Sequence, residues 1–182
     1  MARYAMACDE KLCVTCNACV LACKNENAVP DGAARCWTAQ IERGSFPHCT
    51  VETRSERCNH CRSAPCVTAC PTRASHYDVG GIVDVDAAKC IGCKACTLAC
   101  PYEVRYTHPA GYVDKCSFCK HRVLEGQDPA CVEVCPTGAL VFGDLDDRNS
   151  RISRLLRTRA QLVLKPEEGT RPMMFFLSGP RR

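Results

Sequence analysis

Apolar residues fall along this chain in short runs, broken every few positions by cysteine, glycine, proline or charge. No run approaches the ~18 residues that would indicate a membrane-spanning helix. The runs predict many small elements. Ala74 to Tyr77 and Ile82 to Val85, separated by Val79-Gly-Gly81, read as a hairpin with a glycine turn, and Asp86 offers an N-cap to Ala87-Ala-Lys89. Ala18 to Lys24 reads as a short helix. A connector from Asn25 to Arg57 carries Pro30, Asp31-Gly32 and Pro47, with short strands at Trp37 to Ile41 and Thr50 to Thr53. Lys120 to Glu125 reads as a helical turn, and Pro129 can open another towards Cys135. A strand follows at Ala139 to Phe142. Ile152, Leu155, Leu156 and Leu162 recur at helical intervals, predicting an amphipathic surface helix within Arg148 to Leu164. The last run, Arg171-Pro-Met-Met-Phe-Phe-Leu177, is exposed by position and needs either a sheet to join or a partner.

Composition shows what these fragments lack. The 182 residues allow one domain or two small ones, but aromatics are only 6%, so a core of large side chains would be thin. Cysteine, with 19 residues, is the one type in excess. The formal charge of +4 is mild and no basic stripe interleaves with aromatics, which excludes a nucleic-acid binder. The 46% hydrophobic content excludes a disordered chain. Met1 to Glu10 shows no apolar core and no twin arginine, so a signal peptide is not expected there.

Disulfides, zinc and iron–sulfur clusters compete for the cysteines. An odd count without a visible leader disfavours disulfides. Sixteen cysteines form four quartets: Cys13, Cys16, Cys19, Cys23; Cys58, Cys61, Cys66, Cys70; Cys90, Cys93, Cys96, Cys100; and Cys116, Cys119, Cys131, Cys135. The second and fourth each hold one C-x2-C pair that zinc could use. The first and third are C-x2-C-x2-C-x3-C, three thiolates in one loop and a fourth set apart. That arrangement covers three corners of one cubane and reaches across to another. The last three quartets end in Cys-Pro (Cys70-Pro71, Cys100-Pro101, Cys135-Pro136), where proline fixes φ as the chain leaves the cluster.

The chain is an internal repeat. The first quartet overlays the third at an offset of 77 residues, with Ala18/Ala95, Leu21/Leu98 and Ala22/Ala99 identical. The second and fourth form an expanded class, with four and eleven residues between their second and third cysteines. Each two-cluster unit should combine a regular and an expanded quartet. The hairpin joins the second and third, leaving the first and fourth; spacing equally permits first with second and third with fourth. No G-x-G-x-x-G, P-loop, H-E-x-x-H or haem C-x-x-C-H occurs. His48, His60, His76, His108 and His121 read as ordinary polar loop residues.

The quartets, together with Arg3-Tyr-Ala-Met6, Cys96-Thr-Leu-Ala-Cys-Pro-Tyr102, His108-Pro-Ala-Gly-Tyr-Val-Asp-Lys-Cys116, Phe142-Gly-Asp-Leu145 and Gly169-Thr-Arg-Pro172, carry a resemblance over nearly the whole chain. It resembles the four-cluster iron–sulfur subunits of molybdopterin oxidoreductases, those of dimethyl sulfoxide, thiosulfate and tetrathionate reductases and, most of all, that of polysulfide reductase. The resemblance implies an α+β fold of two ferredoxin-like modules, each holding two [4Fe–4S] clusters and built of short hairpins and helices. One module spans 1–24 with 101–147 and the other 54–100. Residues 25–53 would be an irregular connector and 148–182 a C-terminal helix and docking tail.

Carried over residue by residue, the resemblance pairs the first quartet with the fourth and the second with the third. Cluster 1 would take Cys13, Cys16, Cys19 and Cys135, and cluster 2 Cys23, Cys116, Cys119 and Cys131. Cluster 3 would take Cys58, Cys61, Cys66 and Cys100, and cluster 4 Cys70, Cys90, Cys93 and Cys96. Some relatives replace a third-quartet cysteine and hold a three-iron cluster; this chain keeps all sixteen. Cys8, Cys36 and Cys49 match no ligand position and read as small buried hydrophobes.

The implied function is electron relay without catalysis, between an integral membrane quinone-reactive subunit and a molybdenum- or tungsten-bis-pterin catalytic subunit. Cluster 1 would lie nearest the pterin and cluster 4 nearest the quinone. The chain would sit at the membrane through its partners, on the extracytoplasmic side if co-exported with a twin-arginine partner. A free-standing polyferredoxin is the rival, disfavoured by the long connector and apolar tail, and a zinc-stapled structural protein is a third class. Four cubanes with sixteen thiolates would turn the formal +4 into about −4, making the basic residues countercharge for buried anions.

Overall fold

The computed structural model describes residues 2–178, and its elements are short. In chain order they are β1 (Tyr4–Asp9), α1 (Ala18–Glu26), β2 (Cys36–Ser45), β3 (His48–Arg57), α2 (Pro65–Thr68), β4 (Ser75–Tyr77), β5 (Val83–Val85) and α3 (Ala95–Leu98). Then come β6 (Tyr106–Thr107), β7 (Val113–Asp114), α4 (Lys120–Leu124), α5 (Ala130–Glu133), β8 (Leu140–Asp144), α6 (Arg151–Thr158), β9 (Gln161–Leu162) and β10 (Met174–Leu177). The result is a mixed α and β protein of small sheets and short helices. The glycine-turn hairpin is β4–β5, paired Ser75 to Val85 and Tyr77 to Val83. Asp86 accepts from the amides of Ala88 and Lys89, capping the turn as its sequence suggests.

One four-stranded sheet, ordered β8-β1-β10-β9, ties the chain ends together. β1 runs antiparallel to β8 and parallel to β10, with Cys8 opposite Leu140 and Phe176. Alternation along β1 sends Met6 and Cys8 to one core and Ala5 and Ala7 to a second. β10 divides likewise, with Met174 and Phe176 on the first side and Leu177 on the second. α6 covers the second face through Ile152, Leu155 and Leu156, and Ser150 caps it by accepting from the Ser153 amide. The first face closes over the cysteine loops.

Several expectations change here. The final apolar run is not a docking tail as far as residue 178: Met174, Phe176 and Leu177 are fully buried in an interior strand. Residues 179–182 of that expected tail lie outside the described residues. The tail therefore no longer speaks for a docked over a free-standing carrier. The helix is shorter than the pattern suggested, and Leu162 is an exposed residue of β9. The connector is not irregular throughout. Its two short strands lengthen into a hairpin of two ten-residue strands, paired from Cys36–Arg57 to Ser45–His48.

Candidate metal centres

The internal repeat is repeated in the backbone. Asn17 before α1 and Lys94 before α3 share a left-handed conformation, φ 61, ψ 7 and φ 60, ψ 7. Thr15 and Gly92, again 77 apart, are also at positive φ. This geometry turns successive cysteine side chains to the inside of one loop. Gly92 meets a second limit, since a Cβ there would stand 2.6 Å from the carbonyl oxygen of Gly111. Gly92→Ala is expected to cost about 1–2 kcal/mol from its left-handed backbone alone, besides displacing Gly111. Thr15→Ala should stay within about 0.5 kcal/mol. Thermal unfolding of the two loaded variants measures the difference.

The sixteen quartet cysteines are brought together in four cavities. One is lined by Cys13, Cys16, Cys19 and Cys135, a second by Cys23, Cys116, Cys119 and Cys131. A third is lined by Cys58, Cys61, Cys66 and Cys100, and a fourth by Cys70, Cys90, Cys93 and Cys96. The grouping is first quartet with fourth and second with third. Among the described residues, no three His, Cys, Asp or Glu side chains converge on a point suited to a single metal ion. Four sulfurs ringing a space suit a polynuclear cluster better than a zinc ion, which sits ~2.3 Å from each thiolate.

Donors converge on these sulfurs. The Ser75 amide donates to Cys70 Sγ (3.3 Å), the Val113 amide to Cys90 Sγ (3.5 Å) and the Phe118 amide to Cys116 Sγ (3.4 Å). Asn27 Nδ2 lies 3.7 Å from both Cys23 Sγ and Cys119 Sγ. Burial pushes the Cys61 and Cys116 thiols up to about 12, so they need cationic iron to take them as thiolates.

Fit to an anionic group is tested by the buried cations. Arg57 is 1% exposed, Lys115 1% and Arg105 6%. The carboxylate ion pairs among the described residues go to other cations, such as Arg35, Arg54 and Lys120, and none goes to these three. Arg57 Nε and Arg105 Nε and Nη1 are buried without a hydrogen-bond partner. Burial opposes the charge on Arg57, but Cys131, Cys36, Cys116 and Cys19 outweigh it and hold the guanidinium well above its usual range. An uncompensated buried cation costs several kcal/mol, and anionic clusters in these cavities would compensate all three.

Residues 49–145 match the family described as 4Fe-4S dicluster domain, and residues 10–26 match the 4Fe-4S binding domain. Protein NrfC of Escherichia coli K12 is 48% identical over 177 residues, covering 95% of this chain and 79% of that protein. A polysulfide reductase chain of Wolinella succinogenes is 42% identical over 183 residues, covering 98% of this chain and 96% of that one. The protein belongs to their family of 4Fe–4S proteins. A tetrathionate reductase subunit of Salmonella typhimurium, 43% identical over 180 residues, covers 96% of this chain and 72% of its own length.

Within this 4Fe–4S chain, three cysteines stand outside the four sets. Cys8 and Cys36 are buried as expected, and Cys36 lines the cavity of Cys23, Cys116, Cys119 and Cys131. Cys49 is exposed, because it lies near the β2–β3 tip opposite Gly44. His60 also departs from expectation. It is fully buried and stacks on Phe118 with ring centroids 3.7 Å apart. Its Nδ1 accepts the Val83 amide at 3.1 Å, and burial, with Lys115, Arg105 and Arg57 nearby, holds it well below its ordinary pKa. His60 and Phe118 occupy the same place in Cys58-Asn-His60-Cys61 and Cys116-Ser-Phe118-Cys119, both at positive φ. Arg57 and Lys115 are equivalent too, each immediately before the first cysteine of its quartet. A basic residue before both expanded quartets was the signal that could have marked them.

Proposed function

We propose that this chain is the electron-transfer subunit of a molybdopterin-dependent respiratory reductase for sulfur compounds or related acceptors. It would hold four [4Fe–4S] clusters in two ferredoxin-like modules, residues 1–24 with 101–147 and residues 54–100. The ligands proposed are Cys13, Cys16, Cys19 and Cys135; Cys23, Cys116, Cys119 and Cys131; Cys58, Cys61, Cys66 and Cys100; and Cys70, Cys90, Cys93 and Cys96. Each cluster would supply a one-electron carrier that changes charge with little rearrangement. The chain's own part is to position the clusters, exclude water and set their surroundings.

The carrying observation is the gradient of exposure across the four cavities. In the second and third, all eight cysteines are buried. In each outer cavity one cysteine is exposed, Cys16 in one and Cys93 in the other, two are half-buried and one is buried. Exposed Val14 and Leu21 flank Cys16 in sequence, and exposed Ile91 and Leu98 flank Cys93. Two sites with every cysteine buried, between two that each have one exposed cysteine, is the layout of a relay with an entry and an exit. α1 carries Cys19 and Cys23 on adjoining turns, so it links the first cavity to the second. The His60–Phe118 stack spans the second and third, and the segment Cys66 to Cys70 links the third to the fourth.

Relatives named as subunits of polysulfide, tetrathionate and thiosulfate reductases support assignment to a complex. The partners proposed are a molybdenum- or tungsten-pterin subunit and a quinone-reactive membrane subunit, on the extracytoplasmic side. No helix among the described residues is long and apolar enough to cross a membrane, so attachment would be through partners. Anaerobic purification with its neighbouring subunits is expected to give a brown complex containing molybdenum or tungsten and about sixteen iron atoms per copy of this chain, four per cubane. Elution as a lone 20.0 kDa chain free of molybdenum and tungsten would refute the complex. Colourless, iron-free protein would refute the clusters.

A further inference from the structure

We infer that Arg57, Lys115 and Arg105 are fixed countercharges, one at each junction between consecutive clusters, and that each raises the potentials of the two clusters it separates. The inference rests on the four-cluster reading above. Arg57 stands at the first junction. Its Nη1 donates to Cys131 Sγ at 2.8 Å, and its Nη2 donates to Ser55 Oγ at 2.5 Å. Ser55 Oγ in turn lies 3.4 Å from Cys19 Sγ. One guanidinium thus connects a cysteine of the second cavity with one of the first.

Lys115 stands at the next junction. Its ammonium donates to the carbonyl of Cys116, a residue of the second cavity, at 2.7 Å, and to that of Val83, which lines the third. Arg105 lines the third cavity and stands at the last junction. Its Nη2 donates to Ser75 Oγ at 2.8 Å, and the Ser75 amide donates to Cys70 Sγ of the fourth.

The order of the cations follows the order of the cavities. Neutral side chains would fill these places with less desolvation cost, so the charges need a reason beyond packing. A cluster becomes one unit more negative when reduced. A fixed positive charge beside it stabilises the reduced form and raises its potential. Shared between two clusters, the same charge favours electron occupancy on either side of the junction. The low exposure of all three limits screening by water and salt.

The test is redox titration of the purified complex, following each cluster by electron paramagnetic resonance, in Arg57→Gln, Lys115→Gln and Arg105→Gln. Each variant should lower the reduction constants of its two flanking clusters by about tenfold, ~59 mV for one electron. The remote clusters should hold their potentials. Arg57→Lys, Lys115→Arg and Arg105→Lys should restore most of each shift, which a packing role alone would not predict. Full iron content with unchanged potentials, or equal shifts in all four clusters, overturns the inference. Iron well below sixteen per chain in the unmutated complex overturns the four-cluster reading instead. Should the glutamine variants fail to assemble, assembly of the charge-keeping variants supports the inference, and failure of both sets overturns it.

Discussion

Cys58→Ala is expected to break the relay in its middle, where every cysteine is buried. All four cysteines of the cavity it lines with Cys61, Cys66 and Cys100 are buried, so no exposed group stands ready to replace the lost thiolate. Iron should fall from about sixteen to about twelve atoms per chain. Electrons entering beside Cys93 would then stop before reaching the clusters of the other module. Quinol-linked reduction by the complex should be lost. Activity with an artificial donor that reduces the catalytic subunit directly should persist. Cys49→Ala, at an exposed site outside every cavity, should leave iron and activity unchanged. Unchanged iron in Cys58→Ala would remove Cys58 from the ligand set. Loss of the artificial-donor activity would show instead that the complex had failed to assemble.

The sequence exposes the candidate sites so fully because thiolate spacing is local information. Three cysteines in seven residues, with a left-handed residue between them, can close only on a small volume, and the 77-residue offset makes that visible twice. The β4–β5 hairpin was legible for the same reason, its strands and glycine turn lying within a dozen residues. The missed features depend on contacts between distant parts of the chain. Nothing local says that Phe176 will lie beside Cys8. Nothing in Cys58-Asn-His60-Cys61 says that His60 will meet Phe118 across the molecule. The β2–β3 hairpin was underestimated because most of its outer half is exposed, so its apolar periodicity fades towards the tip. The basic residues are expected as countercharge only as a group, and burial alone singles out Arg57 and Lys115 among them.

Phe176→Ala is expected to destabilise the fold by about 3–5 kcal/mol, the range for truncating a fully buried aromatic. That is a large part of the ~5–15 kcal/mol that holds a domain folded. β10 lies between β1 and β9, and Phe176 packs in the core that contains Cys8, Cys19 and Leu140. Leu140 also lines the cavity of Cys13, Cys16, Cys19 and Cys135. Loosening the sheet should therefore release iron from that outer cavity at a lower temperature than from the third cavity, whose cysteines are all buried. Deleting residues 171–182 goes further. It strips β1 of one neighbour, exposes the edge from Ala5 to Cys8 and should yield insoluble protein. Phe46→Ala, at 92% exposure on the hairpin tip, should change stability by no more than about 0.5 kcal/mol. The two phenylalanines separate an interior strand from a docking tail. A tail used only for docking would let Phe176→Ala unfold like the unmutated protein and merely weaken the complex. An interior strand requires a lower melting temperature of the loaded chain even without partners, with the cluster colour bleaching in the same transition.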